Sequence, residues 1–269
     1  MSVLSAAPLH SDADGQTPTK EANMNNALSR IAFRSARQIA VAAAVLSLPV
    51  PFVTAEAGQA GEITHLSGVL SVARADGTKA ILSSKSGVLE GDTLTTEQGA
   101  YARVKFVDGA EVVMRPATQI KVEAFQYDQA KPASDNMLLS MFKGGLRAVT
   151  GLIGKRSQNR VAFQTDTATI GIRGTTFNGL LCQGSDCAGM TNGSGQPLPN
   201  GLHVEVVDGA IVVSNGAGQQ VFGLGEFGFV KDAGTPPAAV PAGQGMKFSL
   251  PTGQGGRIGG TADGDECAL

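Results

Sequence analysis

An all-β, single-domain fold, a sandwich or roll of short strands and hairpins with little helix outside an N-terminal apolar segment, is what the sequence predicts. Three observations lead there. Between residues 61 and 230, short runs rich in Val, Ile, Leu, Phe and Thr alternate with Gly, Asp-Gly and Asn-Gly breaks. The breaks fall about every 8 to 12 residues, the spacing of strands joined by tight turns. Residues 101–107 and 111–115 flank Asp108-Gly109-Ala110, a strong hairpin signal, because Asp-Gly accepts the positive φ of a tight turn. Helical periodicity is scarce. The best helical segment, residues 136–142, reads equally well as a strand running into Gly144-Gly145.

In chain order, residues 1–29 are polar and aperiodic and are expected to be disordered. Arg30, Arg34 and Arg37 then precede an apolar run over residues 39–53 and Ala55-Glu56-Ala57. A positive n-region, an apolar h-region and an Ala-x-Ala site make residues 30–57 a secretory signal peptide. The run is short against the roughly 20 residues a spanning helix needs, so a retained membrane anchor is the alternative. Met24 is a candidate true start. The formal charge of the chain is −2, and four cations and four carboxylates precede residue 58, so the exported part keeps it. A near-neutral chain does not point to nucleic acid as a partner.

Residues 69–73 alternate, Asp76-Gly77 turns into residues 79–82, and residues 120–125 follow the Asp108-Gly109 hairpin as a further strand. The central stretch is residues 160–179, RVAFQTDTATIGIRGTTFNG: alternation at Val161 and Phe163, then threonines, then two glycines flanking Ile172-Arg173. Glycines three apart among β-branched residues mark an extended backbone that bends or admits a close neighbour. Arg173 there is either paired to a carboxylate or is a recognition point for an anionic group. Residues 106–113 (FVDGAEVV) recur as 206–213 (VVDGAIVV), which reads as two hairpins of one kind. The second leads into a strand meander, so residues 180–232 are expected to complete the same fold. Residues 233–269, rich in Pro, Gly and Ala, read as a mobile tail ending in an acidic cluster and Cys267.

Several of these pieces resemble the FecR domain, a bacterial periplasmic module. Ile172-Arg173-Gly174-Thr175-x-Phe177 after a Thr-rich strand is similar to its C-terminal signature. Residues 61–72 resemble its opening strand pair. Gly91-Asp92-Thr93-Leu94-Thr95 with Phe106-x-Asp108-Gly109-Ala110 resembles its central hairpin, so the likeness runs over residues 61–179. The resemblance implies a role in binding or sensing in the cell envelope. In its best-known members the domain relays the state of an outer-membrane receptor to a sigma factor. That role requires a sigma-binding domain ahead of the membrane segment, where this sequence has some 30 polar residues. The main expectation is therefore a free-standing exported module, periplasmic or secreted, contacting an envelope protein or an anionic polysaccharide. A membrane-anchored regulator is one alternative, and a structural or adhesive envelope component, oligomeric through Cys267, is the other.

Residue chemistry fits a binding protein better than an enzyme. Only His65 and His203 follow the apolar run, and the hydrolase, metalloprotease and P-loop motifs are missing. Asp263-Gly264-Asp265-Glu266 lacks calcium-loop spacing. No cofactor or metal is expected. Cys182 and Cys187, five apart in an exported chain, read as a disulfide pinning the Gly/Ser/Asn/Pro loop that follows; a metal or redox pair would want further ligands or Cys-x-x-Cys spacing. Lys143, Arg147, Lys155, Arg156, Arg160 and Arg173 face one intervening acid, Asp166, and form a candidate basic patch for an acidic partner. The plain alternative is a solvated face, or a half that pairs with the acid-rich stretch from Glu90 to Asp135.

Overall fold

A computed structural model describes residues 58–157 and 159–250. The disordered N-terminus, the signal peptide, the acidic cluster and Cys267 predicted above all lie outside them. The described chain is two β-sheets packed face to face, and the all-β expectation holds: 53% is strand and 4% helix.

The first half supplies β1 (Gln59–Ser67), β2 (Leu70–Ala73), β3 (Lys79–Leu82), β4 (Gly87–Leu89), β5 (Thr93–Thr96), β6 (Tyr101–Phe106), β7 (Glu111–Met114) and β8 (Gln119–Gln126). The long β9 (Asn136–Val149) follows, then the short helix α1 (Leu152–Arg156). The second half supplies β10 (Val161–Gln164), β11 (Thr169–Ile172), β12 (Thr176–Cys182), β13 (Gly201–Asp208), β14 (Ala210–Asn215), β15 (Gly218–Gly223), β16 (Phe227–Val230) and β17 (Ala238–Val240). One sheet runs β4-β1-β6-β7-β9-β12-β13-β16-β17. The other runs β3-β2-β5-β8-β9-β10-β11-β14-β15.

Strand β9 stands at the centre of both sheets, with four strands of each half on either side of it. Its first part pairs with β8 and β10, its last part with β7 and β12. The switch comes at Gly144, at φ +85, and Gly145. The hydroxyl of Thr118 donates to the Gly145 carbonyl and accepts from the Gly145 N–H, both at 2.9 Å. A Cβ on Gly144 would run into Thr118, so only glycine fits this bend. Leaving β9, the chain crosses through α1 to reach β10, which lies parallel to the start of β9. The segment 136–142, ambiguous in the sequence, is strand because both of its edges are paired.

Between the sheets lie Phe106, Phe177, Phe222, Ile63, Leu70, Leu94 and Ile120, all fully buried. Rings meet across the layers: Phe163 of one sheet stands edge-on to Phe177 of the other at 5.1 Å, and Phe106 stacks on Phe125 at 5.4 Å. Each such side chain contributes about 1.5–3 kcal/mol through burial.

Two sequence expectations need correction. The second Asp-Gly turn is not a hairpin: β13 belongs to one sheet and β14 to the other, so Asp208-Gly209 carries the chain between layers. The mobile-tail reading fails over residues 233–250. Strand β17 extends the first sheet, and Met246 is buried in a second small cluster with Leu180, Cys182 and Cys187. Composition missed this because four apolar side chains, Val240, Met246, Phe248 and Leu250, are spread thinly among the Pro and Gly residues.

Candidate functional site

Most of the residues that carried the family resemblance are structural. Gly91, Gly109 and Gly174 turn the backbone at positive φ, and Ile172 and Phe177 fill the core. Asp92 is buried, accepting the Leu89 N–H at 2.8 Å and the Arg74 guanidinium at 2.5 Å. Burial pushes its carboxyl above the usual range, opposed by those two donors. Asp108 is buried as well. Its carboxylate accepts the Ala110 N–H at 3.0 Å and, across the chain, the Ile153 N–H of α1 at 3.2 Å. Burial again raises its pKa above the ordinary value, against the pull of those donors. It thereby satisfies a donor at the start of α1 that has no partner within the helix. Thr175 donates its hydroxyl to the Ala210 carbonyl at 2.5 Å and accepts the Ala210 N–H at 3.2 Å, while its backbone is clasped by the Thr150 hydroxyl.

Arg173 is the exception. It is exposed on the turn between β11 and β12, and its guanidinium makes no hydrogen bond or ion pair among the described residues. Of the two sequence readings, the paired arginine is not what the structure contains.

The six-cation patch does not form. Arg160 sits beside the first residues of β9, where its carbonyl accepts the Met137 N–H. Lys143 lies at the far end of that segment, about 20 Å away at a strand's rise per residue. Arg147 points off the first sheet and donates to Asn178, which in turn donates to Glu205. Arg156 is committed: it pairs with the buried Asp135 at 2.8 Å, donates to the carbonyls of Asp128 and Gln129, and lies over Tyr127. Lys155 and Arg156 lie on α1, with Ile153 wholly buried. Lys155, Arg160 and Arg173 stay exposed at one end of the sandwich, while Arg156, also solvent-facing, is taken up by Asp135.

That end has a feature hidden in the sequence. Val107, Leu152 and Val207 are 53%, 48% and 38% exposed, each next to a tied turn. The Leu152 N–H donates to Asp108, the Thr150 N–H to Thr175, and the Arg173 N–H to Ala210. These bonds bring the three aliphatics to one end of the first sheet, a row spread over β6, β7, β9, β12 and β13, about 19 Å at ordinary strand spacing, with Arg173 and Lys155 at the same end. The only sequence signal was the repeated Val-Asp-Gly, which places a valine just before each turn.

The opposite end holds the disulfide loop. Cys182 and Cys187 are bonded, as the spacing predicts. The loop and residues 246–248 lie over the outer face of the first sheet, where Phe248 stands 5.0 Å from the Arg115 guanidinium and 5.9 Å from that of Arg147. His203 is buried there against Phe229, its Nε2 at 2.8 Å from the Pro199 carbonyl, and burial lowers its pKa. Among the described residues no cluster of three or more His, Cys, Asp or Glu is arranged to hold a metal. No described helix is long and apolar enough to cross a membrane.

Two packed sheets with buried signature turns and exposed loops at both ends define an all-β module. A family model described as FecR protein matches residues 92–212, which supports a FecR domain over that stretch. The match begins later and ends later than the 61–179 expected, and its later end takes in β13 and part of β14, which continue the same two sheets. No curated protein matches the chain. Among solved structures, it is similar to a cell surface anchoring domain at 26% identity, covering 24% of this chain and 84% of that one with a TM-score of 0.23. Two structures of a "putative anti-sigma factor" from Parabacteroides distasonis ATCC 8503 are similar at 15% identity with a TM-score of 0.39. This chain spans 58% of their length, and the likeness covers 55% of its own.

Proposed function

We propose that this chain is an exported, non-catalytic FecR-domain module that binds and senses an envelope protein through the row Val107, Leu152 and Val207 with Arg173 and Lys155. The observation that carries the reading is the juxtaposition of three exposed aliphatics with cations that lack carboxylate partners, on turns held rigid by Asp108 and Thr175. Aliphatic side chains favour a protein partner over a polysaccharide, and the cations favour one with acidic residues beside an apolar contact. The FecR match and the predicted signal peptide support a signalling role in the envelope, with cleavage after Ala57.

The test is a photo-crosslinking amino acid placed at Leu152 or Val207 in the native full-length chain. Ile81, 71% exposed on the edge strand β3, is the control position. A discrete adduct from positions 152 and 207, absent at 81 and lost in Arg173→Glu, supports the reading. Sequencing the recovered protein should give a start at Gly58 in the periplasmic or culture fraction. Equal adducts from all three positions would overturn the docking row, and an uncleaved start in the inner membrane would favour an anchored regulator.

A further inference from the structure

We infer that the opposite end of the sandwich carries a second site, for a small carboxylate, held by Arg115 and Lys143. A cavity of about 160 Å³ opens where β9 bends, walled by Arg115, Lys143, Gly144, Gly145, Leu180 and Met190. Arg115 is its distinctive group. Its Nε is buried and has no hydrogen-bond partner, and Nη1 reaches only the Met190 sulfur at 3.8 Å. One face of the guanidinium is covered by Phe248 at 5.0 Å. The protein gives the guanidinium no oxygen acceptor, so an acceptor that enters the cavity has donors of Arg115 to engage.

The surroundings fix that arginine in place. The Arg115 carbonyl accepts the Thr96 hydroxyl at 2.6 Å, and its N–H donates to the Gly145 carbonyl. Thr118 ties the same turn to the bend of β9. Lys143, on the residue before the bend, lines the same cavity and has no ion-pair partner among the described residues. A planar fork beside a point charge matches a carboxylate, which accepts two parallel N–H bonds from arginine. Leu180, Met190 and Pro116 offer the rest of the ligand an apolar wall. Asp186 lines the same cavity and repels a second negative charge, so a body carrying one carboxylate toward Arg115 fits best. This site is independent of the docking row at the other end.

Such a carboxylate has two sources, a free small acid or a uronate of a polysaccharide. Isothermal titration of the full chain with butyrate and, separately, with a galacturonic acid oligomer distinguishes them. Saturable binding of either is expected, weakened about tenfold to a hundredfold in Arg115→Met and in Lys143→Met. Arg115→Lys keeps the charge and loses the fork, so it should also bind weakly while melting like the wild type. Binding of neither probe, or binding equal in wild type and Arg115→Lys, overturns the site.

Discussion

Residues 106–110 and 206–210 differ at one position in five, yet they direct the chain differently. Both glycines adopt the left-handed region, at φ +82 and +79. At the first, Phe106 and Ala110 close a hairpin within one sheet, and Asp108 is buried with its carboxylate on Ala110 and Ile153. At the second, Asp208 is exposed and the strand passes into the other sheet, with Thr175 taking both the N–H and the carbonyl of Ala210. A short motif specifies a turn; the neighbouring segment decides what the turn connects. Helix α1 waits above the first, and the Thr175 turn above the second.

Substitutions can break that contrast. The largest expected effect is Asp108→Ala, which strands two buried N–H groups and should cost about 2–4 kcal/mol in chemical denaturation, whereas Asp208→Ala should stay within about 0.5 kcal/mol. A smaller effect separates the glycines. Alanine at either position carries the strain of positive φ, about 1 kcal/mol. At Gly209 its Cβ would also press on the Gly174 carbonyl at 2.5 Å, while at Gly109 it meets open space. Thermal melts should therefore rank Gly209→Ala as the less stable variant. The smallest effect is in pH. Burial raises the Asp108 carboxyl above its ordinary 3.8, so between that value and the raised one the folded state holds the extra proton. Its contribution to stability is present below 3.8 and is lost as pH rises through the folded value. Asp108→Asn should remove that segment of the stability curve, and Asp208→Asn should leave it intact.

Much of the fold was legible because strand period and turn chemistry are local. The Asp108 hairpin, the strands of residues 160–179 and the Cys182–Cys187 bond follow from spacing alone. The layer change at Asp208 was not legible, since residues 206–213 read like residues 106–113. Nor was the scatter of the six cations, because a single bend at Gly144 separates Lys143 from residues close to it in sequence. Nothing local marks Arg115, one arginine before a proline. Its meaning depends on Gly144-Gly145 and on Phe248, 133 positions further along the chain. Val107, Leu152 and Val207 looked like ordinary strand and turn residues until the fold placed them in one row.

The claim on which the docking end rests is that the Asp108 carboxylate anchors α1 and so presents Leu152. Amide hydrogen exchange at Ile153 tests it directly, with the Val122 amide, bonded to the Asp92 carbonyl, as reference. Ile153 should be protected in the wild type and in Asp208→Ala, and should lose protection relative to Val122 in Asp108→Ala. Unchanged relative protection of Ile153 in Asp108→Ala would contradict the account.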